Sequence, residues 1–186
     1  MALTADAGAH RVADGARVEA TIDALARRLH ADNDQEVALV GIRRRGVPLA
    51  NMLAENLRRF GRHPALGEIQ LSRYADDLRL LHEQPRSGTV DLPFDLAQGN
   101  IVLVDDVLYT GRTLFRAVDL LIEAGARNVA CAVLCARGPT EVPVQVAHIG
   151  LRFDVGPEQI IEVRIPPYET DLEVVLRYRP TRPSSV

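Results

Sequence analysis

The sequence contains few cysteines and few aromatic residues, and these shortages exclude several protein classes. Its 186 residues include two cysteines and no tryptophan, and aromatic residues make up 4%. No His/Cys cluster has the spacing of a zinc site. On a strand, Cys131 and Cys135 would lie about 13 Å apart, which is too far for a mutual disulfide. We therefore predict two buried free thiols and a fold that neither zinc nor a disulfide stabilises.

Long hydrophobic runs and an excess of charge of one sign are also missing. No apolar run approaches the ~20 residues of a membrane-spanning helix, and residues 1–10 do not resemble a secretion signal. We therefore expect no membrane partner and a cytoplasmic location. The formal net charge is -3, whereas proteins that wrap RNA usually carry a basic excess. The apolar content of 47% is ordinary for a soluble globular protein.

Apolar residues recur with helical and strand spacings in alternation. Helical spacing marks residues ~15–30, the stretch that begins at Pro48, and the stretch that follows residue 113. Strand patterns mark residues 37–42, 68–74, 101–104, 128–134 and 144–149, with a closing antiparallel pair at 160–165 and 172–178. This order predicts an α/β fold with a mostly parallel twisted sheet, helices on both faces, and a small antiparallel hairpin at the C-terminus.

The domain boundaries follow from the same pattern. Residues 1–14 are predicted to be a flexible N-terminus, residues 15–179 a single domain, and residues 180–186 a flexible tail. Residues 79–96 lack periodicity and are predicted to form a mobile lid, with Arg79, His82 and Arg86 as candidate ligand contacts.

Residues 101–113, IVLVDDVLYTGRT, form the most informative segment. An apolar strand ends in Asp105 and Asp106, and a turn with hydroxyl and glycine residues then opens a helix. Adjacent carboxylates can accept hydrogen bonds from vicinal hydroxyls, and a helix N-terminus can hold a phosphate. A ribose 5-phosphate has both groups, and residues 110–113 would hold its phosphate.

Two simpler interpretations of this segment remain open. An acidic pair after a strand can bind magnesium, as in receiver domains or beside a P-loop, and the segment can also be a purely structural turn with Thr110 as a helix cap. No P-loop motif occurs in the chain. About a hundred residues precede the acidic strand, which does not suit a receiver domain.

Residues 43–46, Arg-Arg-Arg-Gly, also follow a strand directly. Arginines and free amides suit a polyanion such as pyrophosphate, although a solvated basic run is the alternative. Because the carboxyl ends of parallel strands share one edge of a sheet, we predict that this loop and residues 105–113 form one site.

Residues 102–113 resemble the phosphoribosyl-pyrophosphate loop of the type I phosphoribosyltransferases. With Tyr109, the form VDDVLYTGRT resembles the pyrimidine-operon regulator family, whose members double as uracil phosphoribosyltransferases. Residues 40–50 and 67–78 resemble two further segments of that family. The resemblance implies Mg²⁺ as cofactor, phosphoribosyl pyrophosphate, uracil and uridine nucleotides as ligands, and a homodimer or higher homo-oligomer.

The resemblance also assigns individual roles. Asp105, Asp106 and Arg45 are the implied catalytic residues, and the two aspartates are the implied metal ligands. The implied substrate-binding residues are Arg43, Arg44, Gly46, Tyr74, Val107, Leu108, Tyr109, Thr110, Gly111, Arg112, Thr113, Arg137 and Gly150.

The chain departs from the family after residue 135. Pro139 and Thr140 stand where the family has a His-Arg pair on its RNA-binding surface, so mRNA is the weaker of the implied partners. The loop that closes over the base in relatives corresponds here to residues 149–156. The leading hypothesis is a uracil phosphoribosyltransferase. The alternatives are a nucleotide-sensing regulator with little catalysis and a phosphoribosyltransferase for another base.

Overall fold

The computed structural model describes residues 9–33, 35–71, 88–97 and 99–179. Within them the helices are α1 (Gly15–Asp32), α2 (Gly46–Arg59) and α3 (Arg112–Glu123). The strands are β1 (His10–Ala13), β2 (Val37–Ile42), β3 (Ala65–Leu71), β4 (Gly88–Asp91), β5 (Asn100–Leu108), β6 (Asn128–Arg137), β7 (His148–Phe153), β8 (Gln159–Arg164) and β9 (Glu173–Tyr178).

The central sheet has the strand order β4-β3-β2-β5-β6-β7. The pairs β3–β2, β2–β5, β5–β6 and β6–β7 are parallel, whereas the edge strand β4 pairs with β3 in the antiparallel sense. A smaller antiparallel sheet has the order β1-β9-β8. The predicted α/β class and its C-terminal antiparallel pair are therefore confirmed.

Two hydrophobic clusters flank the central sheet. Helices α1 and α2 pack on one face together with the small sheet, and α3 packs on the other face. The α1 stripe of Val18, Ile22, Leu25 and Leu29 is fully buried, as its spacing predicts. Burying each such leucine or isoleucine stabilises the fold by roughly 2 kcal/mol. Helices thus cover both faces of the central sheet.

Three predicted boundaries were wrong. Part of the predicted flexible N-terminus, His10–Ala13, forms β1, because it pairs with β9. Part of the predicted lid, Gly88–Asp91, forms β4. The strand predicted at 144–149 begins only at His148, because Val144 and Val146 pack against the α3-side cluster outside the sheet.

The two cysteines behave as predicted. Cys131 and Cys135 are buried free thiols on β6. No helix among the described residues combines the length and the apolar character needed to span a membrane.

Candidate functional site

A cavity of about 920 Å³ opens beyond the carboxyl ends of β2, β3 and β5. Its lining joins residues that are far apart in the sequence: Ile42, Arg43, Arg44, Arg45, Gln70, Leu71, Asp105, Asp106, Val107 and Thr113. The two loops that the sequence assigns to one site therefore share one cavity. Parallel pairing of β2 with β5 produces this result, since Gly41 is the register partner of Val104 and the chain leaves both strands at one edge.

The acidic pair lies in the second half of β5, which continues to Leu108 and so extends beyond the predicted strand at 101–104. Asp105 is 8% exposed. Its Oδ1 accepts a hydrogen bond from the Asp106 amide at 3.0 Å, and the Asp106 Oδ1 accepts one from the Val107 amide at 2.9 Å. The side chains are thus fixed by the backbone that carries them, and they remain in the lining of the cavity.

Burial makes this pair costly to ionise. Burial, followed by the charge of Asp106, raises the pKa of Asp105 well above its usual range. Burial also raises the pKa of Asp106, although the positive charge of Arg45 acts in the opposite direction. Two such carboxylates favour a bound cation or hydroxyl donors, which would offset their repulsion.

The turn after the acidic pair leads into the N-terminus of α3. Gly111 is the N-cap, with φ of 82°, and a side chain there would lie 2.7 Å from Val144 Cγ1. Thr110 precedes this N-cap by one residue, and its hydroxyl accepts a hydrogen bond from the Arg112 amide at 3.3 Å. Thr113 enters the cavity lining. The first-turn amides of a helix have no partners within it, so this terminus can receive an anion.

Each arginine of the 43–45 loop has a partner elsewhere in the fold. Arg43 forms an ion pair with Glu68 of β3, in which its Nε donates at 2.8 Å. The Arg44 guanidinium lies 4.7 Å from the centre of the Tyr168 ring. Arg45 donates from Nη2 to Glu169 at 2.5 Å. The arginines are therefore held in place before any ligand binds.

Gly46 explains how closely this loop approaches β5. A Cβ at this position would overlap the carbonyl oxygen of Val104. Only glycine lets α2 begin directly against the strand that carries the acidic pair, which brings the arginines close to Asp106.

Tyr109 connects the turn to the C-terminal part of the chain. Its ring lies 4.1 Å from the Arg137 guanidinium carbon and 5.6 Å from that of Arg179. Its hydroxyl accepts a hydrogen bond from Arg179 at 3.1 Å. Arg137 is buried, donates to the Gly156 carbonyl at 2.8 Å, and has a buried Nε with no hydrogen-bond partner. Tyr109 and Arg137 therefore form one cluster beside the cavity and outside its lining.

Several predicted substrate contacts lie elsewhere. Leu108 is buried in the α3-side cluster. Arg112 points to Glu141, with which it pairs at 3.1 Å. Gly150 lies on β7, where a side chain would lie 2.6 Å from Thr21 of α1, so its small size serves packing. Tyr74, and Arg79, His82 and Arg86 of the predicted lid, lie outside the described residues.

Sequence reasoning missed four residues of this region. Gln70 and Leu71 enter the lining because β3 neighbours β2. They lie in the family-like segment 67–78, but the resemblance assigned them no role. Glu162 and Glu169 approach Arg45 from the small sheet and the loop after it. Their separation from Arg45 exceeds a hundred residues, so no local pattern could have found them.

A model of the phosphoribosyl transferase domain family matches residues 8–158. A solved hypoxanthine phosphoribosyltransferase of Trypanosoma cruzi superimposes with a TM-score of 0.73 at 14% identity, covering 92% of this chain and 91% of that one. A hypoxanthine-guanine phosphoribosyltransferase from Bacillus anthracis gives a TM-score of 0.68, also at 14% identity, over 90% of this chain and 96% of that one. The fold is that of the type I phosphoribosyltransferases, and the chain is a phosphoribosyltransferase.

Sequence relatives narrow the assignment. The bifunctional protein PyrR of Acetivibrio thermocellus is 40% identical over 137 residues, which cover 73% of each chain. That of Elusimicrobium minutum is 32% identical over 169 residues, covering 89% of this chain and 94% of the relative. The chain belongs to the phosphoribosyl transferase domain family and, within it, to the bifunctional PyrR proteins.

Proposed function

We propose that this protein transfers the phosphoribosyl group of phosphoribosyl pyrophosphate to uracil, forming uridine monophosphate and releasing pyrophosphate. The observation that carries the proposal is the cavity itself. Its lining combines Asp105 and Asp106, Thr113 at a helix N-terminus, and three consecutive arginines. These are suitable partners for a diol, a phosphate and a diphosphate, the three polar parts of one substrate.

The ribose phosphate would lie between β5 and α3. Asp105 and Asp106 would accept hydrogen bonds from the two ribose hydroxyls. The backbone of residues 110–113 would hold the 5-phosphate, since the helix terminus offers amide donors and a positive end of the dipole. Because Gly111 carries no side chain, the phosphate could approach this backbone closely.

The leaving pyrophosphate would lie at the 43–45 loop. A nitrogen of the base forms the new bond to ribose C1 as the bond from C1 to the pyrophosphate oxygen breaks, and the base later loses its proton. Positive charge develops on the sugar and negative charge on the departing oxygen. Arg45 would stabilise the departing charge, and positioning of both reactants would supply much of the remaining acceleration.

Mg²⁺ fits the acidic end of this site. Asp105 and Asp106 supply hard oxygen ligands, and burial raises the pKa of both carboxyls, which a nearby cation would offset. No group of three or more potential metal-ligating side chains occurs in the described part of the chain. Mg²⁺ in enzymes is commonly held by one or two carboxylates together with substrate phosphates, and Asp105 and Asp106 would supply the carboxylates. When bound, the ion would neutralise charge on the pyrophosphate.

A base screen tests the proposal directly. With phosphoribosyl pyrophosphate and Mg²⁺, uracil should give pyrophosphate release faster than any other free base. Asp106→Asn should lower kcat by about 100-fold or more, whereas Glu19→Gln on exposed α1 should leave it unchanged. Turnover with another base alone would refute the uracil assignment, and binding of nucleotides without any turnover would favour a regulator with little catalysis.

The name of the relatives supports a second activity. We infer that the protein also binds pyrimidine-operon mRNA, because residues 102–113 resemble the pyrimidine-operon regulator family and relatives at 40% and 32% identity are called bifunctional. The net charge of -3 and the Pro139-Thr140 pair make this the weaker proposal. Filter binding with a pyrimidine leader RNA, with and without uridine nucleotides, should show saturable binding. If the leader RNA were retained no better than a scrambled RNA of the same length, this role would be excluded.

A further inference from the structure

All positive side chains of this chain are arginine, since the 22 basic residues include no lysine. An arginine offers its hydrogen bonds in a planar fork, so its value to an anion depends on the orientation of that plane. The arrangement that fixes Arg45 is therefore as important as its presence.

Glu169 contacts Arg45 along one edge of the guanidinium. The Arg45 Nη2 donates to Glu169 Oε1 at 2.5 Å, and Nε donates to Oε2 at 3.3 Å. Side-on pairing of this kind fixes the plane of the group and leaves donors on Nη1 and Nη2 for a further anion. The Arg45 side chain is 33% exposed, so it remains accessible from the cavity.

The Glu169 carboxylate is itself fixed. Its Oε2 also accepts a hydrogen bond from the Ile165 amide at 3.0 Å, and the amides of Tyr168 and Glu169 both donate to the Ile165 carbonyl. Ile165 is 1% exposed and belongs to the core. Pro166 and Pro167 restrict the backbone of the turn that leads from Ile165 to Glu169. Residues 165–169, named here the clamp loop, thus connect Arg45 to the packed interior.

Another carboxylate is close to Arg45 but has other partners. Glu162 Oε1 lies 3.9 Å from Arg45 Nη2. The same side chain pairs with Arg164 at 3.6 Å and with Arg177 at 3.0 Å. Glu169 is therefore the principal partner of Arg45.

We propose that Glu169 is a positioning residue of the transferase, which orients the Arg45 guanidinium toward the leaving pyrophosphate. This inference rests on the proposed function. The clamp loop is near Arg44 as well, since the Tyr168 ring lies under that guanidinium. The loop from the small sheet thus organises two arginines of the pyrophosphate site, although it belongs to neither of the motifs.

Variants of the clamp loop test this role. Glu169→Gln should lower kcat on the order of ten- to hundred-fold. KM for phosphoribosyl pyrophosphate should change by less than about three-fold, because the pyrophosphate gains its extra negative charge only as the bond to C1 breaks, and free pyrophosphate carries that charge. It should also weaken binding of inorganic pyrophosphate with Mg²⁺, measured by calorimetry. Glu169→Asp should recover part of both losses. The matched control, Asp171→Asn, removes an exposed carboxylate two residues away and should match the wild type.

A double-mutant comparison separates positioning from general damage. In an Arg45→Gln background, Glu169→Gln should cause no further loss of kcat, because nothing remains to be oriented. The inference would be overturned by additive losses of kcat, by a kcat for Glu169→Gln equal to that of Asp171→Asn, or by pyrophosphate binding that is unchanged or tighter in Glu169→Gln. The calorimetry does not depend on the base, so failure of the uracil assignment alone would leave this test valid.

Discussion

Replacing Asp105 by asparagine should stabilise the ligand-free protein while removing its transferase activity. The carboxyl is 8% exposed and adjoins that of Asp106. Burial and the neighbouring charge raise its pKa well above the usual range. The ionised form that the reaction needs is therefore unfavourable for the folded state without ligands.

The sign of the pH dependence follows from the raised pKa. As the pH rises above about 4, the unfolded chain releases the Asp105 proton first, because its carboxyl has an ordinary pKa. The folded state keeps the proton until the pH passes the raised pKa, so the free energy of unfolding falls across this window and stays low above it. An asparagine has no proton to lose here, and its side-chain oxygen can still accept the hydrogen bond from the Asp106 amide.

The size of the effect can be bounded. We expect Asp105→Asn to raise the free energy of unfolding by roughly 1–3 kcal/mol at pH 8, the order of the desolvation penalty of one buried polar group without a full partner. For a chain of this length that is a rise in Tm of roughly 2–10 °C. Near pH 4 the gain should become small, because the wild-type carboxyl is then protonated in the folded state and about half protonated in the unfolded state.

Thermal unfolding by circular dichroism at pH 4, 6 and 8, without Mg²⁺, measures this difference. Glu19→Gln on the exposed face of α1 is the control and should show no gain at any pH. A lower Tm for Asp105→Asn at pH 8, or a gain of the same size at every pH, would refute the reasoning.

Two further predictions concern buried groups. Burial raises the pKa of the Cys131 thiol to about 11 and that of the Cys135 thiol to about 12. Both thiols should therefore react with a disulfide reagent only after denaturation. Rapid labelling of the native protein would contradict this expectation. Gly46→Ala should lower the free energy of unfolding by about 1–3 kcal/mol and remove most activity, because the added methyl group overlaps the Val104 carbonyl oxygen. Gly61→Ala, where φ is 78° and no atom lies within 4 Å of the added group, is the control; its cost should be conformational only and its kcat unchanged.

The motifs could be found from the sequence because their chemistry is local. Asp105, Asp106 and residues 110–113 lie on one strand, one turn and one helix start, so their order along the chain is also their order in space. The same holds for Arg43 to Gly46 after β2. Parallel pairing then brings both loops to one edge, which a general rule of such sheets already predicts.

Contacts between distant segments could not be found this way. His10–Ala13 has no strand pattern of its own and is a strand because β9 offers it a partner. The alternating apolar residues at 144 and 146 suggested a strand, but they pack against the α3-side cluster. Periodicity records that a side chain is buried, and it does not record what buries it.

The sequence by itself determined the class of fold and the chemical character of the two ligand loops. Both follow from residue types at short spacing. Only the tertiary structure decided what faces those loops. Glu169 reaches Arg45 across 124 positions of the chain, because the small sheet packs on the face of the central sheet that carries α1 and α2. Such a contact depends on how two sheets pack together, a property that no short stretch of sequence contains.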